Sequence, residues 1–282
     1  AADQHQVDIR FEGSVGGGIP IIRSLHEGFV ATNFTEIYGI LNGTTNYILT
    51  EMNEKGEDFD EVLQRAQQLG LAEPDPTFDI EGIDPAHKII ILTYLAFGIY
   101  VEMDQIIIEG IRHLHPMDIK FARELGYTIK LLAIAKQTNG AVEVRVHPTM
   151  LHVEHSLAKV DGSFNAIYVV GDIVNSTMFY GRGAGMMPTA SAVVADITDI
   201  AFKVKNRNEY NKNCYSYFQN IPQIDFEKSN TRYYFRFNVL DRPGILSKLA
   251  GVLGNNNISI ANIIRKYLFI LSLCFSFFVL FS

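Results

Sequence analysis

The stretch from Glu73 to Lys88 reads Glu-Pro-Asp-Pro-Thr-Phe-Asp-Ile-Glu-Gly-Ile-Asp-Pro-Ala-His-Lys and packs five acidic side chains and one lysine into a turn that ends at a helix start. Gly82 breaks the preceding segment, Asp84 is a preferred N-cap type and Pro85 fits a first helical turn. Ile89, Ile90, Leu92, Tyr94 and Leu95 then continue as an apolar helix to Gly98. Residues four apart on a helix share a face, so Asp84 and Lys88 can both reach one small molecule lying over the helix N-terminus. A lysine there, with a carboxylate one turn away, suits proton exchange with a substrate oxygen. The competing reading makes Asp84 only a cap and Lys88 only a solvated side chain.

The chain is long enough, at 282 residues with 48% hydrophobic composition, to bury a sizeable core in two or three domains or parts of them. Its 24 basic and 31 acidic residues give a net charge of −7, and no run of lysine and arginine forms a stripe along which phosphates could lie. Nucleic acid and anionic membrane are therefore excluded as expected partners. Cys214 and Cys274 lie far apart without metal-type spacing, which fits a reducing, cytoplasmic compartment. His147, His152 and His155 are close in sequence, but their spacings match no common metal site. His87 is turned some 100° from Lys88 on the expected helix, as a packing or solvent-facing residue.

Periodicity predicts helices over Gly43–Met52, Asp60–Leu69, Ala86–Phe97 and Met117–Leu125, and strands over Val7–Phe11, Gln105–Arg112, Ala141–Pro148 and Ala166–Val170. A second glycine-rich loop, Gly181-Arg-Gly-Ala-Gly185, leads to a helix over about 188–204, an anion-friendly geometry that lacks the spacing of a dinucleotide fingerprint. Residues 206–230 read as a linker. After it, Arg232–Leu240, a helix marked by Ile245, Leu249, Val252 and Leu253, and Ile258–Ile264 predict a βαβ unit.

Several segments together resemble homoserine dehydrogenases, in that family's order. They are Glu12-Gly-Ser-Val-Gly-Gly-Gly-Ile-Pro-Ile-Ile, Gly39-Ile-Leu-Asn-Gly-Thr-Thr-Asn-Tyr-Ile-Leu, Leu69-Gly-Leu-Ala-Glu-Pro-Asp-Pro-Thr, Gly82-Ile-Asp-Pro-Ala-His-Lys, Tyr180-Gly-Arg-Gly-Ala-Gly and Pro188-Thr-Ala-Ser-Ala-Val-Val-Ala-Asp. The terminal βαβ unit resembles the first half of an ACT domain. The resemblance implies an α/β fold: an α+β substrate domain with a mixed sheet and helices, the remnant of a Rossmann-type nucleotide domain, and the partial ACT unit. The implied domains are 1–22 (end of the nucleotide domain), 23–205 (catalytic), 206–230 (linker), 231–266 (partial ACT) and 267–282 (an apolar tail).

The same resemblance implies reversible reduction of L-aspartate 4-semialdehyde to L-homoserine with NADP or NAD, on the route to threonine, methionine and isoleucine. Lys88 and Asp84 match the family's proton-donating lysine and nearby aspartate. Glu73 matches the carboxylate that takes the substrate ammonium, and Asp79 with the Gly43 and Thr44 backbone matches the rest of the substrate site. Gly181, Gly183, Ala184 and Gly185 match the loop beside the nicotinamide. Glu12, with the carbonyls of Val15, Gly17 and Ile19, matches a structural sodium site, where oxygen ligands suit a hard cation. A homo-oligomer and an amino-acid effector at the ACT unit are implied as well.

Leu71 stands where the family shows a tyrosine. The family's glycine-rich strand-turn and its Thr-Ala-Asn-Lys lysine are expected upstream of Ala1, which leaves this chain the substrate half of an active site and the edge of the cofactor half. Alternatives are a non-catalytic relic that dimerises or binds an amino acid, and a fragment of a bifunctional aspartate kinase–homoserine dehydrogenase. Tyr267–Phe281 falls short of the roughly 20 residues of a membrane-spanning helix. A shifted reading frame or misread exon end accounts for it better.

Overall fold

The computed structural model of the chain describes residues 2–5, 7–206, 222–224, 231–240, 242–268 and 274–281. It divides into two units, Ala1–Glu227 and Lys228–Ser282. The strands of the first unit are β1 (Phe34–Ile40), β2 (Ile107–Ile108), β3 (Tyr127–Thr138), β4 (Ala141–His152), β5 (Phe164–Gly171) and β6 (Asn175–Arg182). They form one sheet in the order β2-β4-β3-β1-β5-β6, in which β2 and β4 pair in parallel and all other neighbours are antiparallel. The sheet is mixed, as the resemblance implied.

The longest pairing owes its register to two residues. Asn139 and Gly140 have φ of 53° and 76°, the left-handed conformations a two-residue hairpin turn needs, and they lock Thr138 opposite Ala141 and Tyr127 opposite His152. Alternation then sorts β3. Ile129, Leu131, Ala133 and Ala135 enter the main core, while Leu132 and Ile134 join a smaller cluster with Ile40, Leu157, Val160 and Ala166.

The helices are α1 (Ala2–His5), α2 (Ile21–Arg23), α3 (Gly43–Lys55), α4 (Phe59–Gln68), α5 (Thr77–Ile80), α6 (Ile83–Phe97), α7 (Pro116–Glu124) and α8 (Met186–Lys205). On α6, Ala86, Ile89, Leu92 and Phe97 form the buried stripe that packs on β1, β3 and β4. That burial faces the sheet and leaves the Asp84 and Lys88 side of the first turns open to the end of β1. Gly98, with φ of 70°, stops the helix.

Four expectations about the first unit need correction. Gly82, at φ 82°, occupies the N-cap position of α6, and Asp84 lies inside the first turn without capping it. Residues 7–11 join no sheet among the described residues, since a strand needs a ladder partner; Asp8 and Arg10 instead pair with Lys203 and Asp199 of α8. The span 105–112 gives only the two residues of β2, because the Ile111 N–H turns away to donate to the Ile80 carbonyl at 2.8 Å. Helix α8 begins at Met186, two residues before Pro188, because a proline is tolerated in a first turn whose N–H groups have no helical acceptor. Strands β1, β3 and β6 carried no strand expectation at all.

Most of the expected linker, 207–221 and 225–230 with Cys214, lies outside the described residues. Within it, Gln223 bridges Val142 in parallel at the edge of β4. The second unit holds β7 (Tyr234–Leu240), α9 (Ile245–Asn255), β8 (Ile260–Leu268) and β9 (Cys274–Phe281). Its sheet runs β7-β9-β8, with β9 antiparallel to both neighbours. The βαβ reading therefore changes. The two expected strands are not neighbours; the apolar run left as a tail supplies the central strand between them, as an aromatic-rich segment of strand length can.

Candidate functional site

Three segments converge just beyond the C-terminal end of β1. Asn42, the N-cap of α3, accepts on Oδ1 from the Thr45 backbone N–H at 2.9 Å and from the Thr45 hydroxyl at 3.0 Å. Its Nδ2 donates to Asp79 Oδ1 at 2.7 Å and to Asp84 Oδ2 at 2.9 Å. Lys88 reaches the same carboxylate, donating to Asp84 Oδ2 at 2.7 Å, and also donates to the Leu41 carbonyl at 2.9 Å. Asn42 is thus the joint between both aspartates and the α3 cap. Lys88 and Asp84 keep 20% and 23% of their side-chain surface exposed. An ammonium has three N–H groups, so one remains for a molecule at this opening.

The first N–H groups of α3, on Gly43 and Thr44, have no intrahelical acceptor and lie at the positive end of the helix dipole. A side chain at Gly43 is barred: a Cβ would stand 2.8 Å from the Ser163 carbonyl. Thr44 turns its hydroxyl inward to the Leu71 carbonyl at 2.7 Å, tying α3 to the turn that leads to Glu73. Lys88, Asp84, Asp79, Gly43 and Thr44 are therefore brought together. Glu73 is exposed, and among the described residues its carboxylate has no hydrogen-bond partner. His87 stacks on Phe78 at 5.5 Å, away from this group.

The 12–19 and 181–185 segments, 160 and more residues apart in the chain, pack on each other. Gly18 N–H donates to the Arg182 carbonyl at 3.1 Å, and a Cβ on Gly17 would lie 2.4 Å from the Gly183 carbonyl oxygen and 3.1 Å from Ala184 N. Gly181 packs against the Ile19 side chain, with 3.2 Å left for a Cβ. Gly185, at φ 120°, launches α8. Gly17 must be glycine for its backbone to come this close, whereas a Cβ on Gly183 would meet the Asn165 side chain.

Glu12 is 7% exposed and accepts on its two carboxylate oxygens from the Ile22 and Arg23 backbone N–H groups, each at 2.9 Å. Burial raises its pKa above the ordinary glutamate value, and these hydrogen bonds only partly oppose the rise, with Asp196 adding to it. A monovalent cation on its remaining lone pairs would relieve that buried charge, and the oxygen donors of Val15, Gly17 and Ile19 are the right chemical type. Among the described residues no cluster of three His, Cys, Asp or Glu side chains could hold a metal.

Sequence reasoning missed three residues. Asn42 had a visible signal, an N-cap type before Gly-Thr-Thr. Lys130, only 1% exposed, is held by the Asn46 amide oxygen, the Val160 carbonyl and Asp161 at 3.2, 2.6 and 3.0 Å, and burial pushes its pKa down. Asn46 also donates to the Val160 and Phe164 carbonyls, and Gly162 N–H to the Thr50 hydroxyl, so α3 fixes the 160–164 segment that carries Ser163 and Asn165 to Gly43. Asn165, 1% exposed on β5, lies against Gly183. Nothing in an isolated sequence marks the last two.

The homoserine dehydrogenase family model matches residues 20–198. A homoserine dehydrogenase of Neisseria gonorrhoeae is 46% identical over 94% of this chain and 62% of its own length, and one of Helicobacter pylori is 46% identical over 92% and 60%. A crystal structure of a homoserine dehydrogenase from Thiobacillus denitrificans superposes with a TM-score of 0.93 at 42% identity, covering all of this chain and 64% of that one. A hyperthermophilic archaeal homoserine dehydrogenase in complex with NADPH gives 0.62 at 30% identity, over 72% and 58%. The chain spans somewhat under two thirds of the length of these relatives. With its glycine loops packed together and its lysine–aspartate pair beside the α3 N-terminus, the chain belongs to the homoserine dehydrogenase family.

Proposed function

We propose that this chain carries the substrate-binding and proton-donating part of a homoserine dehydrogenase that reversibly reduces L-aspartate 4-semialdehyde to L-homoserine. The observation that carries the reading is Lys88, held by Asp84 and the Leu41 carbonyl at the opening beside the α3 N-terminus. The substrate carboxylate accepts from the Gly43 and Thr44 N–H groups, where the helix dipole favours an anion. Its ammonium meets the free carboxylate of Glu73. The aldehyde oxygen takes the remaining Lys88 N–H and then its proton, so that negative charge developing on oxygen is neutralised as it forms. Asp79 acts through Asn42, which it helps to hold. NADP or NAD, beside Gly181, Gly183, Ala184 and Gly185, would supply the hydride.

Further parts of the same reading are a sodium ion held by Glu12 with the Val15, Gly17 and Ile19 carbonyls, and an assembly of identical copies in the cytoplasm. No described helix is long and apolar enough to cross a membrane. Residues 1–22 belong in this reading to the nucleotide domain and 23–205 to the catalytic domain. The unit after Glu227, with its β7-β9-β8 sheet and one helix, suits an ACT-type module with an amino-acid effector.

The test is Lys88→Met in the enzyme completed from the Neisseria gonorrhoeae relative. Its kcat should fall by about 10² to 10⁴, the usual worth of a positioned general acid, with semialdehyde binding retained. Near-normal turnover at saturating semialdehyde and NADPH retires the mechanism.

A further inference from the structure

Asn165 has a buried amide oxygen left unused among the described residues. The residue is 1% exposed, and among the described residues its Oδ1 has no hydrogen-bond partner. It lies between the two halves of the site. A Cβ on Gly183 would fall 1.9 Å from Asn165 Nδ2, 2.0 Å from its Cγ and 2.5 Å from its Oδ1, so the amide rests directly on the glycine loop. A Cβ on Gly43 would be 3.6 Å from the same Oδ1, which therefore faces the first residue of the 13-residue helix α3. The position is held from behind, because Asn46 binds the Phe164 carbonyl at 3.1 Å and Lys130 and Thr50 fix the segment before it. A buried acceptor without a donor is costly, and one held rigidly between Gly183 and the start of α3 is accounted for by a donor that a ligand brings.

The donor can be identified by elimination, on the dehydrogenase reading given above. The substrate's carboxylate and aldehyde are acceptors only, and its ammonium is matched to Glu73. The dinucleotide also carries an adenine amine and ribose hydroxyls, but the donor on the nicotinamide ring itself, the part assigned to the Gly183 loop against which Asn165 rests, is the primary carboxamide. We propose that Asn165 Oδ1 accepts a hydrogen bond from this carboxamide, setting the ring's rotation between the Gly183 loop and the α3 N-terminus. Asn165 is then a binding and positioning residue, and Gly183 is glycine so that the amide can lie flat against the loop.

The test uses the completed enzyme and calorimetric titration with NADP and with its 3-acetylpyridine analogue, in which a methyl group replaces the carboxamide nitrogen. The native enzyme should bind the analogue roughly 3- to 10-fold more weakly, the worth of one neutral hydrogen bond. Asn165→Leu, which removes the acceptor, should bind the two dinucleotides alike, and Asn165→Asp, which keeps an acceptor, should still discriminate. Equal affinities in the native enzyme overturn the proposal even if the leucine variant does not fold, and so does undiminished discrimination in Asn165→Leu. Failure of the native enzyme to bind either dinucleotide overturns the dehydrogenase reading and this inference with it. Binding of both without discrimination overturns this inference alone.

Discussion

Asn42 makes more separate contacts in the site than its size suggests, and two substitutions take them apart. Asn42→Ala removes the α3 cap, worth about 0.5–2 kcal/mol. It also removes the donors to Asp79 and Asp84, which as hydrogen bonds to charged groups are worth about 1.5–3 kcal/mol each. Both carboxylates retain access to water, with Asp84 at 23% side-chain exposure, so solvent replaces part of what is lost and the net cost should be about 2–4 kcal/mol. Asn42→Asp keeps an oxygen for the Thr45 N–H but sets a third carboxylate where the amide nitrogen stood 2.7 and 2.9 Å from two others. The aspartate variant should therefore retain its cap yet lose stability at neutral pH and recover part of it on acidification, as one of the three carboxylates takes up a proton. Urea unfolding of the completed enzyme at pH 7 and pH 5, with turnover measured alongside, separates the contributions. Native stability and turnover in Asn42→Asp at pH 7 would refute the claim that Asn42 holds the two aspartates through its donor.

Glu73→Gln should raise KM for the semialdehyde by roughly 10- to 150-fold, from the loss of a charge-assisted bond of about 1.5–3 kcal/mol, and leave kcat nearly intact; an equal fall in kcat would move Glu73 from binding to chemistry. Gly183→Ala should cost about 1–3 kcal/mol in thermal unfolding as Asn165 is forced aside, and should weaken dinucleotide binding; a neutral result would mean the loop yields freely. Glu12 has a raised pKa, so the native protein holds this proton more tightly than the unfolded chain, and stability falls as pH rises from the ordinary glutamate value through the raised one. In sodium-free buffer the stability deficit of Glu12→Gln should therefore narrow over that window, whereas bound sodium would make it widen; melting curves with sodium or choline chloride distinguish the two.

The sequence shows helices here more readily than strands, for a physical reason. Helices α3, α4, α6 and α7 carry local signals: apolar residues at helical spacing, capping types and a glycine stop. Strand β3 reads Tyr-Thr-Ile-Lys-Leu-Leu-Ala-Ile-Ala-Lys-Gln-Thr, rich in leucine and alanine with a lysine in its midst, which a local reading does not recognise as a strand buried on both faces. That charge is satisfied by partners distant in the chain, Asn46, Val160 and Asp161. The Asn139-Gly140 pair was the available clue, since it flanks two apolar runs at hairpin spacing.

The site divides along the same line. Lys88 and Asp84 could be paired from spacing alone, because four residues on one helix fix their relation; that they are more than a cap and a solvated side chain follows from Asn42 and Leu41, which arrive from the end of β1. Their meeting depends on β1 being central, between β3 and β5, so that its C-terminal end delivers the α3 N-terminus beside α6. The close approach of Gly17 to Gly183 is of this kind too. Each glycine run looked like an ordinary loop with its own ligand, and only the fold makes them two faces of one contact. Disturbing either loop should therefore perturb the ligand assigned to the other, so the proposed sodium and dinucleotide sites are expected to be thermodynamically linked, each ligand changing the other's affinity by the same factor.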